Sequence, residues 1–232
     1  MTNTKKYEAS EDSSGNGINR LMLSDQVKQI ILDGIGSGKF APGDRLVESQ
    51  LARQLGTSQA PVREAIRDLV SIGFLEREPH KGAVVRMLTD EDMLEIYTVR
   101  GPLDALAAEL AAPRVKDDHL QSLMEIRDKM IERAHAQDFI SAARWDWQFH
   151  ILIVDVSGNK LLRRIYDNLQ LDQYILITMR RSSQSLEDLA ARHQSIIEAL
   201  KTRDPEVARQ ATMAHIEGLW PSSEKPRSNV MI

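Results

Sequence analysis

Residues 41–85 read APGDRLVESQLARQLGTSQAPVREAIRDLVSIGFLEREPHKGAVV, and their reading decides the fold of the N-terminal part of the chain. The spacing predicts a helix over 48–55, with Leu51, Ala52 and Leu55 on one face and Gly56 as its C-terminal cap. Ser58 is placed to cap a second helix, and Pro61 is tolerated in a first turn that needs no backbone donor. Val62, Ala65, Ile66 and Leu69 form the buried side of that helix, which stops at Gly73. Two helices joined by so short a turn, the second opening polar and basic, make a helix-turn-helix. A hairpin over 74–85, with 79–82 at its tip, supplies the wing. The implied activity is DNA binding.

Outward from this module the chain divides by pattern. At 232 residues it exceeds the usual single domain. Residues 1–18 are polar and are expected to be a disordered lead. A winged helix-turn-helix domain is expected over 19–86, its first helix near 22–35 turning Val27, Ile30, Ile31 and Ile35 to the core. The TDED sequence at 89–92 has the form of a capping box. Helices follow near 90–112, 117–136, 138–157, 159–182, 185–203 and 205–219, with Pro113, Gly158 and the Asp204–Pro205 pair between them. An antiparallel all-helical bundle over 87–220 and a flexible tail over 221–232 complete the organisation. The fold class is therefore mainly α.

Composition narrows the function. The chain has no cysteine, which excludes disulfides, thiolate metal sites and thiol redox sensing. It has no run of eighteen apolar residues and no signal-peptide core, so a cytoplasmic location without membrane contact is expected. The net charge of −4 is unevenly spread. Residues 20–86 hold ten Lys or Arg against eight Asp or Glu, whereas 87–220 hold sixteen against twenty-two. A modest basic patch on an acidic protein fits selective rather than bulk nucleic-acid binding.

The first module closely resembles the winged-helix domain of the GntR family of bacterial transcription regulators. The resemblance rests on PG at 42–43, Leu46 with Glu48, Leu51–Ala52, PVREAIRDL at 61–69 and GAVV at 82–85. The second domain resembles the FCD ligand-binding domain of the FadR-like branch of that family. Here the carrying residues are Arg100 with PLDALAAELAA, WDWQFH at 145–150, SGN at 157–159 and HQSIIEAL at 193–200. Asp204, Ala208 and His215 complete the pattern. Two departures stand out: Asp104 occupies a position where the family usually has glutamate, and Gly101–Pro102 falls inside a predicted helix, where proline bends the axis.

In a helix-turn-helix the N-terminal turn of the second helix enters the major groove, which places Ser58, Gln59, Ala60 and Arg63 nearest the base edges. Arg63 suits guanine O6 and N7, Gln59 suits adenine N6 and N7, and Ala60 a thymine methyl. Many relatives carry arginine at the position of Gln59, so the operator is expected to differ from theirs. Arg45, Ser49 and Arg67 are expected at phosphates, although Arg67 equally suits an intrahelical pair with Glu64 or Asp68. Lys81 and Gly82 at the wing tip let backbone approach the minor groove.

Histidines make a second constellation. Asp146 and His150, four apart, emerge on one helix face, with His193 and His215 inward-leaning on two later helices. Three imidazoles and a carboxylate suit zinc, nickel or a similar ion, but the Asp-x-x-x-His spacing is common and buried histidines usually satisfy core hydrogen bonds. The FCD resemblance favours the metal, because its metal-binding members place their ligands at the positions of Asp146, His150, His193 and His215. His119 and His135 are expected to be solvated, and His80 belongs to the wing. Arg100 suits a carboxylate effector or an ion pair with Asp104. Trp145 and Trp147 are expected to pack in the core rather than line a pocket.

The function implied is a homodimeric regulator, not an enzyme, that binds an inverted-repeat operator and senses a small organic acid, often through the metal. Acid binding would shift the placement of the two winged domains. One rival is a helical metalloenzyme with a DNA-binding appendage, but no Glu, Tyr or Ser at a catalytic spacing accompanies the histidines. Another is the same regulator with a purely structural metal.

Overall fold

The computed structural model describes residues 14–78, 82–169 and 171–219, with side chains for all of these but 14–22 and 172. Residues 1–13 of the lead expected over 1–18, the tail over 221–232 and the wing-tip residues Pro79, His80 and Lys81 lie outside them. Two compact units form: one holds the chain up to Ile35 with Pro42–Arg86, the other Gly36–Ala41 with Met87 onward.

The first unit contains α1 (Ser14–Gly36), β1 (Arg45–Leu46), α2 (Glu48–Gln54), α3 (Gln59–Ser71), β2 (Leu75–Glu78) and β3 (Gly82–Val85). The helix α1 is already present at Ser14, well before Met22, and so takes in residues that were expected in the lead. Both α2 and α3 end on a left-handed glycine. Gly56 has φ 64° and Thr57 N–H donates back to the Ala52 carbonyl; Gly73 has φ 83° and Phe74 N–H donates back to that of Leu69. These six-to-one bonds satisfy helix-end carbonyls that would otherwise be orphaned. A three-stranded antiparallel sheet of order β1–β3–β2 closes the unit, with Arg45 opposite Val84 and Glu78 opposite Gly82. The strand β1 is too short to show a period of two, and the sequence reading did not anticipate it.

Val62, Ala65, Ile66 and Leu69 are completely buried, as their spacing implied. From α1, Val27, Ile31 and Leu32 fill the core, whereas Ile30 is 42% exposed. The helix is rotated so that Leu32 takes the inward place expected of Ile30.

The second unit is all helical: α4 (Asp90–Ala111), a 3-10 turn (Ala112–Arg114), α5 (Asp117–His135), α6 (Phe139–Ser157), α7 (Lys160–Leu169), α8 (Leu171–Arg181), α9 (Leu186–Ala191), α10 (Gln194–Lys201) and α11 (Pro205–Glu217). The capping box forms: Asp92 N–H donates to Thr89 Oγ1 at 3.1 Å, and Thr89 N–H donates to Asp92 Oδ2 at 2.7 Å. The helix α4 runs through Pro102 without ending. A Cβ at Gly101 would stand 3.3 Å from Met213 Sδ, so this glycine permits the close approach of α11. The helix expected over 185–203 is divided in two, and that expected over 159–182 is described as helix on either side of residue 170. Among the described residues no helix is long and apolar enough to cross a membrane.

Candidate functional site

On the winged unit, Ser58, Gln59, Arg63 and Arg67 are exposed along the opening turns of α3, and Ala60 is half-buried among them. Ser58 precedes α3 in extended backbone, but its hydroxyl makes no capping bond, contrary to expectation. It is thereby left facing outward. Arg45, Ser49 and Gly82 are also exposed, and Gly82 has φ 87°, a conformation that favours glycine. Arg63 is not a solitary solvated charge: its Nε donates to Glu48 Oε2 of α2 at 2.8 Å. Glu48 drew notice only as part of the family pattern, because its contact with Arg63 joins two helices and has no local sequence signal.

In the helical unit the expected ligands come together. Asp146 and His150 descend from α6, His193 sits at the junction of α9 and α10, and His215 lies in the last turn of α11. All four are buried. Each histidine offers a ring nitrogen within 4.8 Å of the others'. Asp146 completes the group from one side, Oδ1 lying 3.1 Å from His193 Nε2 and Oδ2 lying 3.8 Å from His150 Nε2.

The tautomer of His193 follows from its surroundings. Its Nδ1 lies 3.1 Å from the Ala190 carbonyl, which only accepts, so Nδ1 carries the proton. Its Nε2 then faces Asp146 Oδ1 at 3.1 Å, a contact that either a proton on Nε2 or a cation shared between the two atoms satisfies. His150 Nε2, His193 Nε2 and Asp146 Oδ2 are buried without a hydrogen-bond partner, and the ring of His215 has only a loose approach to the Arg192 backbone. Orphaned buried acceptors are costly. Their convergence fits a divalent ion better than core hydrogen bonding.

Electrostatics agree. Arg100 is buried and donates from Nε to Asp104 Oδ2 at 3.0 Å, with Nη2 3.6 Å from Asp146 Oδ2. Burial pushes the Asp104 carboxyl up to about 6 against the pull of the Arg100 guanidinium. Burial also opposes the charge on Arg100, but Asp104, Tyr97 and Asp146 outweigh it and raise its pKa. Burial, with Arg100 adding to it, holds His150 well below its ordinary value. His215 is depressed likewise by burial, then by His193, Arg100 and Arg192. His150 and His215, held neutral, meet Asp104, Asp146 and Arg100 in one buried nest, a donor set that suits a divalent cation.

Several participants were not anticipated. Tyr97 accepts from Arg100 Nη1 at 3.4 Å and shares a 2.6 Å hydrogen bond with Thr178. Asp104 Oδ2 lies 3.7 Å from His150 Nδ1. Phe149 presents its ring edgewise to His150 and His193, centroids 5.6 and 4.8 Å away. Arg100 makes the expected pair with Asp104 and also borders a small cavity. That cavity, about 10 Å³, is bordered by Tyr97, Arg100, Asp146 and Thr178 and has room for about one water. A wider groove of about 370 Å³ runs past His215 between Arg192, Ser195 and three alanines. Neither tryptophan reaches the centre: Trp147 stacks on Tyr166, and Trp145 lies under Lys129.

The family model for the FCD domain matches residues 95–218, and that for bacterial regulatory proteins of the gntR family matches residues 23–85. The chain is 32% identical over 219 residues to a Paenarthrobacter nicotinovorans protein named as a probable D-xylose utilization operon transcriptional repressor, covering 94% of this chain and 96% of that one. It is 30% identical over 208 residues to the gluconate operon transcriptional repressor of Bacillus subtilis strain 168, covering 82% and 83%. Of solved structures, E. coli McbR/YncC is similar with a TM-score of 0.70 at 24% identity, over 84% of this chain and 94% of that one. This last likeness is one of fold.

Proposed function

This chain belongs to the gntR family of bacterial regulatory proteins, as a DNA-binding transcriptional regulator with an FCD effector domain, and from that premise we propose that it senses a small organic acid through a bound divalent ion. The observation that carries the proposal is the convergence of His150, His193 and His215, buried and with nitrogens lacking partners, beside Asp146. A set rich in imidazole suits zinc or nickel. When bound, the ion supplies a Lewis-acidic anchor for a carboxylate oxygen.

The protein's own groups then select the ligand. Arg100 Nη2 is buried without a hydrogen-bond partner beside the small cavity, and Tyr97 and Thr178 border the same space. A guanidinium matches carboxylate geometry, whereas Asp146 repels an acid until its charge is shared with a cation. A cavity this small must open to admit an acid, so binding draws on a second conformation of the bundle and alters operator affinity through it. Dimerisation is supported by exposed apolar residues on α4, where Val99 is 52% and Leu106 39% exposed one heptad apart. Two copies would present two reading helices to an inverted repeat, with Gln59, Ala60 and Arg63 at the bases.

The test uses a duplex selected by the protein from random DNA. Small mono- and dicarboxylic acids are titrated against this complex with ion-loaded and chelator-stripped protein. An acid should change DNA affinity with the loaded protein only. A full response from stripped protein would refute the metal's part and leave Arg100 as the anchor.

A further inference from the structure

Between α9 and α10 the chain passes through Arg192 and His193, both in helical dihedrals. The turn is tightened by three-residue bonds, from His193 N–H to the Ala190 carbonyl and from Ser195 N–H to that of Arg192, each 3.3 Å long. From this junction the Arg192 side chain crosses to the end of α11. Its Nη2 donates to the His215 carbonyl at 2.8 Å, and its Nη1 donates to the Gly218 carbonyl at 3.0 Å. Gln184 Oε1 also accepts from Nη1 at 3.3 Å, and Gln184 Nε2 donates to the same Gly218 carbonyl at 3.3 Å.

The last carbonyls of a helix have no partner within it, and a cation there complements the helix dipole. At the end of α11 the Ala214 and Ile216 carbonyls accept from Gly218 and Leu219 N–H. The His215 carbonyl receives the guanidinium. Gly218 has ordinary helical dihedrals, φ −73° and ψ −7°, so its backbone does not require glycine. A Cβ there would overlap Arg192 Nη2 and stand 2.9 Å from Cζ, so a side chain at 218 would push the guanidinium off its two carbonyls.

We propose that Arg192 is a positioning residue for the histidine centre, clasping the end of α11 to the α9–α10 junction and so holding His215 against His193. One end of the clasp is the residue before His193, and the other is the backbone of His215 itself. The rings of these two histidines have centroids 4.5 Å apart, closer than the 5.4 and 5.5 Å that separate each from His150. Only a planar fork serves two carbonyls in fixed geometry, so lysine does not replace it. The inference rests on the reading of the triad as a metal site.

Its test is a cycle on the full chain with Arg192→Ala, Gly218→Ala and the double variant. Zn²⁺ affinity is measured by competition with a chromogenic chelator, and the visible spectrum is recorded with Co²⁺. Each single change should weaken Zn²⁺ binding about 10–100-fold, the range for partners that orient metal ligands. Gly218→Ala should do so by displacing the Arg192 guanidinium while leaving every ligand residue unchanged. The double variant should bind no more weakly than Arg192→Ala, since the two changes break one contact. Arg192→Lys should not restore affinity, and the Co²⁺ spectrum should shift in both single variants. If Arg192→Ala does not fold, Gly218→Ala against the unaltered protein decides the matter alone. Unaltered affinity in the single variants, or losses that add in the double, would overturn the clasp and leave the metal reading standing; so would a fall confined to the melting temperature of the ion-free protein. Unaltered protein that takes up neither ion would overturn both.

Discussion

Replacing Glu48 with alanine separates stability from DNA reading. Glu48 accepts from Arg63 Nε at 2.8 Å, with side-chain exposures of 28% and 63% for Glu48 and Arg63. A pair this open contributes only about 0–1 kcal/mol to the fold. Glu48 also lies in the first turn of α2, where an acid adds about 0.3–1 kcal/mol. The substitution should therefore cost about 1 kcal/mol, or about 4–8 °C in the melting of a unit of this size. Its effect on DNA has a different origin. With Nε held by Glu48, both terminal nitrogens of Arg63 remain for the O6 and N7 edge of guanine. Without Glu48 the side chain must be ordered on binding, at about 0.5–1.5 kcal/mol per half-site. Two half-sites give about 1–3 kcal/mol, a loss of about 5- to 150-fold in operator affinity. Random DNA should bind as before or slightly tighter, since one negative charge leaves the phosphate-facing surface. Fluorescence anisotropy with selected and random duplexes at one salt concentration measures both. An equal change on the two duplexes, or operator affinity within twofold of the unaltered protein, would refute the positioning of Arg63 by Glu48.

Arg63→Ala should lose about 1–3 kcal/mol per half-site and relax preference at one base pair in each, seen by repeating the selection; equal loss on random DNA would make Arg63 a phosphate contact. Gln59→Arg should change the selected sequence rather than weaken all sequences alike, and an unchanged selection would exclude base reading there. Phe149→Ala, which empties a completely buried site against two of the histidines, should cost about 3–5 kcal/mol in urea denaturation, and less than about 1 kcal/mol would mean that the rings do not depend on it. Divalent ion at a thousand times its dissociation constant should stabilise the protein by about 4 kcal/mol; an unshifted melting curve on adding chelator would contradict this.

Much of this fold is legible locally. The apolar spacing of α2 and α3 and the glycines after each are enough for the helix-turn-helix, because helix periodicity and left-handed caps are short-range properties. The capping box at Thr89 is legible for the same reason. Elements settled by distant partners are not. The two-residue β1 exists because Arg45 and Leu46 find Val84 and Ala83 across the sheet. No glycine or proline marks the break at Arg192–His193, which is stabilised in part by the crossing to α11. The four-residue spacing of Asp146 and His150 is visible in sequence, whereas their meeting with His193 and His215 needs three helix placements. That step rested on the resemblance to the FCD domain. The structure adds His193 Nε2 turned toward Asp146 and the guanidinium of Arg192 at the backbone of His215.

X-ray absorption at the zinc edge, on full-length protein loaded with one equivalent of Zn²⁺ and passed through a desalting column, tests the metal centre most directly. The buried triad predicts retained zinc, nitrogen and oxygen neighbours at about 2.0–2.1 Å, and outer-shell scattering from three imidazole rings. Loss of one ring from that pattern in His193→Ala would place His193 in the coordination sphere. Zinc lost on the column, or a spectrum without imidazole scattering, would contradict a metal centre at His150, His193 and His215.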